Sequence, residues 1–215
     1  MRVLSEQASI VHHFIAELRD KSIQQDSWRF RQNLSRLGEV MGYEISRELA
    51  YQTTRVETVL GSAQVSALRQ QPVLVTVLRA GLPFFEGFQR MFDHAPSGFI
   101  GAYRSHPAGD SSFTIDLNYQ AAPALEDQDV ILVDPMLATG KSLVAAIQAL
   151  QGHGKPRHWH LAVAIAAPEG VQYLKENIDA PYTLWIGALD SHLNEKSYIV
   201  PGLGDAGDLA YGHKQ

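Results

Sequence analysis

A chain of 215 residues with 45% hydrophobic and 19% charged side chains fits one domain with a substantial buried core and, at most, a small appendage. Its net charge of −5 argues against broad nucleic-acid affinity, which needs clustered cations, but leaves open a small phosphate-rich substrate, for which a few local arginines are enough. The absence of cysteine excludes disulfides, thiolate metal sites and thiol catalysis; no apolar run approaches the roughly 18 residues of a membrane span, and His12 and His13 interrupt the best apolar run near the N-terminus, so a soluble cytoplasmic protein is expected.

Residues 5–19 read as a helix, with Ile10, Val11, Phe14, Ile15 and Leu18 at helical spacing. A longer helix starts near Asp26 or Ser27, either of which can cap it, and carries Phe30, Leu34, Leu37, Met41 and Ile45 on one face. That face suits packing on the main core or on a second subunit, and Arg29, Arg31 and Arg36 are expected to be mostly solvated. The whole of 1–70 is read as an N-terminal helical region.

Gln70, Gln71 and Pro72 break the chain before a strand over Val73–Leu78. The turn Arg79-Ala80-Gly81-Leu82-Pro83 follows, then a helix through Phe84, Phe85, Phe88 and Met91. A strand, a tight turn of small residues and a helix can seat a pyrophosphate, with the donor fork of Arg79 as counter-charge; a purely structural turn fits the same residues. Phe99 to Tyr103 is a short strand ending at Arg104. Residues 105–125 are polar and rich in Gly, Pro, Ser, Asp and Asn, which suggests a flexible hairpin or lid. Arg104 at its base either reaches into a site when the loop closes or is a solvated surface arginine.

The stretch Ile131 to Leu143 carries the clearest chemistry. An apolar run ends on Asp134; a short turn with Ala138, Thr139 and Gly140 follows; then Leu143, Ala146, Ile147 and Leu150 mark a helix. The first N–H groups of a helix lack intrahelical partners and its dipole favours an anion, so this is a phosphate site. Gly140 allows close approach of the backbone, and Thr139 and Ser142 add hydroxyls. An acid at the strand tip suits the hydroxyls of a sugar, so phosphate plus diol points to a ribose 5-phosphate moiety.

Leu161–Ala166 and Thr183–Gly187 are further buried strands, with a helix after Pro168-Glu169-Gly170. Strands alternating with helices imply a parallel sheet covered on both faces, whose ligands bind beyond the C-terminal strand ends, where Arg79, Arg104 and Asp134 all fall. His158 and His160, flanking Trp159, are expected at the surface, and the nine histidines show no metal-ligand pair with acidic support. The tail, Tyr198-Ile199-Val200-Pro201-Gly202-Leu203-Gly204-Asp205-Ala206-Gly207-Asp208, is too glycine-rich for a helix. It is either a simple turn or a fixed loop with bared main-chain groups, able to pair with the acceptor–donor–acceptor edge of uracil and to mismatch cytosine.

The 131–143 stretch resembles the phosphoribosyl-diphosphate (PRPP) motif of phosphoribosyltransferases, in the Asp-Pro form of uracil phosphoribosyltransferases, and the 198–208 string is similar to the uracil-binding segment of that family. Segments 28–44, 77–82, 103–104 and 164–171 match in order and spacing. The resemblance implies a Rossmann-like α/β parallel sheet of the type I phosphoribosyltransferase kind in one domain: N-terminal helices, an α/β core over 71–190 and a base-binding hood over 191–215. It implies conversion of uracil and PRPP to UMP and diphosphate with Mg²⁺. By the same resemblance PRPP is bound by Arg79, Arg104, Asp134, Pro135, Met136, Leu137, Ala138, Thr139, Gly140, Lys141, Ser142 and Asp205. The turn at Arg79 often contains a non-proline cis peptide in the family. Uracil is contacted by Ile199, Gly204, Asp205 and Ala206, and Asp134, Arg104 and Asp205 are the catalytic candidates. Asp205 serves either metal-bound water or loss of the base's N1 proton; no direct metal ligand is implied. Relatives are homodimers or larger homo-oligomers, and some are activated by GTP, which makes GTP a candidate activator; no nucleic-acid or membrane partner is implied.

Four positions depart from the family pattern: Lys141 for a second glycine, Leu209 for a basic residue, Pro83 for a glycine, and a 105–125 loop without a glutamate-rich stretch. Lys141 either adds a cation to the 5-phosphate or points to solvent. These departures keep open a rival reading, a non-catalytic or weakly active relative that senses PRPP or pyrimidines. A nucleotide-kinase reading of Gly140-Lys141-Ser142 fails because the glycine required five residues earlier is Pro135.

Overall fold

The computed structural model describes residues 1–105 and 114–213. The chain opens with a short strand, β1 (Arg2–Val3), and a single 3-10 turn; helix α1 (Val11–Arg19) then covers only the second half of the expected 5–19 helix. Helix α2 (Ser27–Ser46) is capped by Asp26, whose carboxylate accepts from Trp28 N and Arg29 N. Phe30, Leu34, Leu37, Met41 and Ile45 are fully buried along one stripe of α2, each removing a side chain from water at roughly 1.5–3 kcal/mol.

The region read as helical through residue 70 contains a β-hairpin instead: β2 (Tyr51–Thr58) pairs antiparallel with β3 (Gly61–Leu68). Thr53, Thr54, Val56, Thr58 and Val65 are β-branched and stiff at χ1, which favours extended backbone. Neither face of the hairpin is covered by its own chain, so the apolar/polar alternation that marks a half-buried strand is missing. Val59 and Leu60 at its tip are essentially wholly exposed.

The main sheet follows from β4 (Val73–Leu78), β5 (Ser97–Ser105), β6 (Thr114–Ala121), β7 (Asp129–Val133), the short β8 (Met136–Leu137), β9 (His158–Ala166) and β10 (Tyr182–Leu189). Its order is β1-β10-β9-β7-β4-β5-β6, with β8 also paired to β9, and every pairing is parallel except that of β6 with β5. Successive residues point to opposite faces. Leu74, Ile131, Val133, Ala162 and Ala164 therefore meet α1, α2 and α3 (Leu82–Met91). Val73, Val75, Leu132, Leu161 and Val163 meet α4 (Lys141–Leu150) and α5 (Pro168–Asn177). The α/β parallel sheet expected from the sequence is thus present, with helices on both faces. Among the described residues no helix is long and apolar enough to cross a membrane.

The same alternation corrects the expectation for the histidines. Strand β9 begins at His158, so His160 falls on an inward position and is 2% exposed, accepting from Trp185 Nε1 at 3.2 Å; half-buried His158 pairs with Thr183 Oγ1. Burial holds the His160 imidazole down to a pKa of about 4, with the neighbouring His158 adding to the effect and Asp129 opposing it.

Chain leaving β4 runs toward β5, and chain leaving β7 runs the other way, toward β9. Adjacent strands whose connections depart in opposite directions open a crevice at their C-terminal ends. The chain ends over that crevice with a two-stranded ribbon, β11 (His192–Leu193) and β12 (Ile199–Val200), and a short helix, α6 (Ala206–Tyr211).

Candidate active site

A cavity of about 420 Å³ occupies the crevice. Four pieces of chain wall it: Val77–Ala80 from the end of β4, Asp134 with Met136, Ala138 and Ser142 from the loop after β7, Ser197–Ile199 from the ribbon, and Gly204–Gly207 at the start of α6. Residues more than 120 positions apart thus share one space.

The Leu78–Arg79 peptide is cis, as the resemblance implies for this turn. The turn closes with Gly81 N donating to Val77 O at 3.1 Å, and Thr76 Oγ1 donates across to Val133 O, tying β4 to β7 beneath the cavity. The half-exposed Arg79 guanidinium lies 3.9 Å from Asp208 Oδ1 and donates to Gly212 O at 3.4 Å, so it stands between the turn and α6. Pro83, one of the departures, occupies the first turn of α3, where a helix tolerates proline because that N–H has no partner to lose.

Asp134 sits just beyond β7, 9% exposed, with its N–H donating to Ala162 O and its carboxylate accepting from Met136 N at 3.3 Å. Pro135 has no N–H, and its carbonyl accepts from both Ala164 N and Ile165 N at 3.1 and 3.0 Å. Its polar capacity is spent on β9, so it anchors Asp134 and offers nothing to a ligand. Leu137 is buried in the core and its carbonyl accepts from Ala167 N. Of the predicted PRPP residues, Met136, Ala138 and Ser142 therefore face the cavity beside Asp134, whereas Pro135 and Leu137 fix the loop.

Gly140 has φ +79°, a left-handed conformation that glycine adopts without steric cost, and as the N-cap of α4 it has no side chain to place on the helix's first N–H groups. Lys141 is already the first helical residue, so the special backbone geometry falls on Gly140 and the family's second glycine is not needed for it. Thr139, Gly140 and Lys141 do not wall the cavity themselves. The loop is pressed from behind by α5: a Cβ on Gly170 would lie 2.3 Å from Ala138 O.

In the tail, Ile199, Gly204, Asp205 and Ala206 all line the cavity. The segment is not loop throughout. Asp205 Oδ1 accepts from Asp208 N at 3.0 Å and starts α6, which buries Ala206 and Ala210. A capping acid outweighs Gly207 here, a signal that the glycine count obscured. Leu209 packs partly buried against the core where a basic side chain is usual. Arg31, expected in solvent, donates to Ala210 O at 2.7 Å and holds the end of this helix from α2.

Arg104 lies on β5, its backbone paired with Ile115 of β6; its side chain and loop residues 106–113 lie outside the described residues. Val77, Leu78, Ala80, Ser197, Tyr198 and Gly207 also border the cavity and were not singled out as site residues in the sequence. Ala80 and Tyr198 were adjacent to named positions, and their smallness or aromatic face is visible only once the walls are assembled.

The model of the family "Uracil phosphoribosyltransferase" matches residues 5–213. The chain is 46% identical over 211 residues to the uracil phosphoribosyltransferase of Porphyromonas gingivalis, covering 98% of this chain and 97% of that one. It is 38% identical over 210 residues to the uracil phosphoribosyltransferase of Pyrococcus furiosus, covering 96% and 88% respectively. A solved structure of an Aquifex aeolicus protein superposes with a TM-score of 0.85 at 31% identity, over 96% of each chain.

Proposed function

The chain belongs to the uracil phosphoribosyltransferase family, and on that footing we infer that it transfers the phosphoribosyl group of PRPP to uracil, yielding UMP and diphosphate. The observation that carries this reading is the single cavity in which the Asp134–Ser142 loop, the Arg79 turn and the Ile199–Ala206 tail meet. A sugar phosphate, a diphosphate and a base need three such walls facing one carbon.

The chemistry asks little of covalent catalysis. As the bond from C1 to diphosphate loosens, positive charge develops on the ribose and negative charge on the leaving group. Asp134, at the strand tip, holds the ribose diol and offsets the charge on the sugar. The Ala138–Ser142 loop and the N-terminus of α4 take the 5-phosphate. Arg79 stands where its guanidinium fork can pair with the diphosphate oxygens, and Arg104 is the second cation that the family resemblance assigns to that group. The main chain of Ile199, Gly204 and Ala206 reads the edge of uracil, and Asp205 stands between base and diphosphate.

Mg²⁺ fits this donor set, since the hard oxygens of Asp134 and Asp205 border the cavity. Among the described residues no cluster of three or more His, Cys, Asp or Glu could hold a metal by itself. Asp205 would hold such an ion through water. When bound it supplies charge neutralisation of the leaving group. A homo-oligomer is supported by the uncovered apolar tip of the β2–β3 hairpin, Val59 and Leu60, and by exposed Trp28 and Tyr43 on α2.

The test is turnover of purified protein with PRPP, Mg²⁺ and each base, following diphosphate release. Uracil yields UMP, and cytosine is slower by about 10⁴-fold, because its edge leaves buried main-chain groups unpaired. Equal turnover with a purine, or PRPP binding without diphosphate release when uracil is added, overturns the reading.

A further inference from the structure

Asp190, at the exit of β10, is a carboxylate whose side chain is only 4% exposed, and Arg19 at the last turn of α1 pairs with it through both guanidinium arms, at 2.8 and 2.5 Å. The same two residues also grip the tail. Arg19 Nη1 donates to Gly202 O at 3.1 Å, and Gly202 N donates to Asp190 Oδ2 at 2.8 Å. Both main-chain polar groups of Gly202 are thereby taken by one ion pair. Next to it, the carbonyls of Leu203 and Leu18 lie 2.8 and 3.1 Å from the buried side-chain amide of Gln24, which follows α1; with its nitrogen turned to them the amide donates to both. The clamp joins three regions: Arg19 ends α1, Asp190 follows β10, and Gly202 and Leu203 run between β12 and the cavity wall at Gly204.

We propose that Arg19 and Asp190 are positioning residues for base recognition: their ion pair fixes the peptide units of Gly202 so that Ile199 and Gly204–Ala206 present their main chain to uracil at a set distance. The inference rests on the function proposed above. Main-chain recognition depends on where the backbone is held, and a loop that must read a base without side chains needs an external fixture. A bidentate guanidinium–carboxylate pair that is largely withdrawn from solvent provides one, because its geometry is directional and little screened by water. No atom of the clamp lines the cavity, so neither residue is catalytic.

The clamp also predicts a division of labour. The sugar-phosphate walls, Val77–Ala80 and Asp134–Ser142, are held by the sheet through Thr76, Pro135 and β8. Loosening Arg19 or Asp190 should disturb the base side alone.

The variants are Arg19→Lys, which keeps the charge but loses the fork and the third contact, and Asp190→Asn, which keeps an acceptor for Gly202 N. Arg157→Ala removes a comparable ion pair, with Asp129, at the opposite ends of the strands and serves as the control. For Arg19→Lys and Asp190→Asn the uracil KM is expected to rise about tenfold or more, as for loss of a hydrogen bond to a charged group, while the Kd for PRPP stays within about twofold. Unchanged uracil KM, or an equal loss of PRPP affinity, overturns the proposal. Hydrogen exchange in substrate-free protein gives a readout that does not depend on the base: amides of 199–206 should exchange faster in the two variants and those of 134–142 should not, and identical exchange in the tail overturns it. A wild-type protein inactive on uracil yet showing the exchange difference would count against the assigned reaction and leave the clamp standing.

Discussion

Gly170 in the first turn of α5 stands against the carbonyl of Ala138, so close that a methyl group at position 170 would lie 2.3 Å from that oxygen. A separation that small is within the contact distance of two heavy atoms, and either the helix or the 134–142 loop must move. Because β8 and the doubly bonded Pro135 carbonyl hold the loop's other end to β9, the displacement falls on Ala138 to Gly140.

Gly170→Ala is therefore expected to weaken PRPP binding by about tenfold or more while leaving the affinity for uracil within about twofold, as measured by titration calorimetry. Stability should fall by about 1–3 kcal/mol, the usual cost of forcing extra atoms into a packed site.

Asp134→Asn keeps an oxygen for Met136 N and should fold normally, since the substituted side chain is nearly isosteric. Loss of the negative charge at the proposed ribose site should lower kcat/KM by about 10²-fold or more, the scale of a removed electrostatic stabiliser. Diphosphate release under saturating PRPP measures it, and full activity would remove the sugar-binding role.

The acid sensitivity of the fold should contain a contribution from His160. Its folded pKa, about 4, lies below the ordinary 6.5, so the unfolded chain binds more protons between these values. Stability from this group is complete above about pH 6.5 and is lost as pH falls toward 4, by at most about 3 kcal/mol. Urea melts of wild type and His160→Gln at pH 7 and pH 4.5 should show a smaller pH effect in the variant.

Charge at the hairpin tip tests the proposed homo-oligomer apart from the fold of the subunit. Val59→Asp with Leu60→Asp alters two fully exposed positions, which ordinarily costs under about 0.5 kcal/mol in a monomer. A shift to smaller species in sedimentation, with the melting profile of each subunit kept, is expected; an unchanged oligomer distribution would show that the tip is not buried between subunits.

Much of this architecture was legible because the signals were local. Val73–Leu78 is a run of apolar residues preceded by proline and followed by a small-residue turn, and the apolar run that ends on Asp134 gives way, after a short turn, to helical spacing from Leu143; both segments appear where expected and border one cavity. The β2–β3 hairpin was not legible, since both of its faces are exposed and its sequence carries no burial pattern. His160 was misjudged because surface and core histidines look alike until the strand's starting residue is known. Arg31 and Arg19 were out of reach for another reason: each owes its role to a carbonyl near the far end of the chain, at Ala210 and Gly202.

The tail's attachment has an evolutionary corollary. The pieces proposed to grip sugar and phosphate are built into the parallel sheet, whereas the pieces that would recognise the nucleobase arrive late, on a ribbon and a six-residue helix moored by a handful of contacts to α1 and α2. Divergence in the last few dozen codons, together with the mooring residues, could retune which heterocycle is accepted without rebuilding the half of the enzyme that handles the activated ribose.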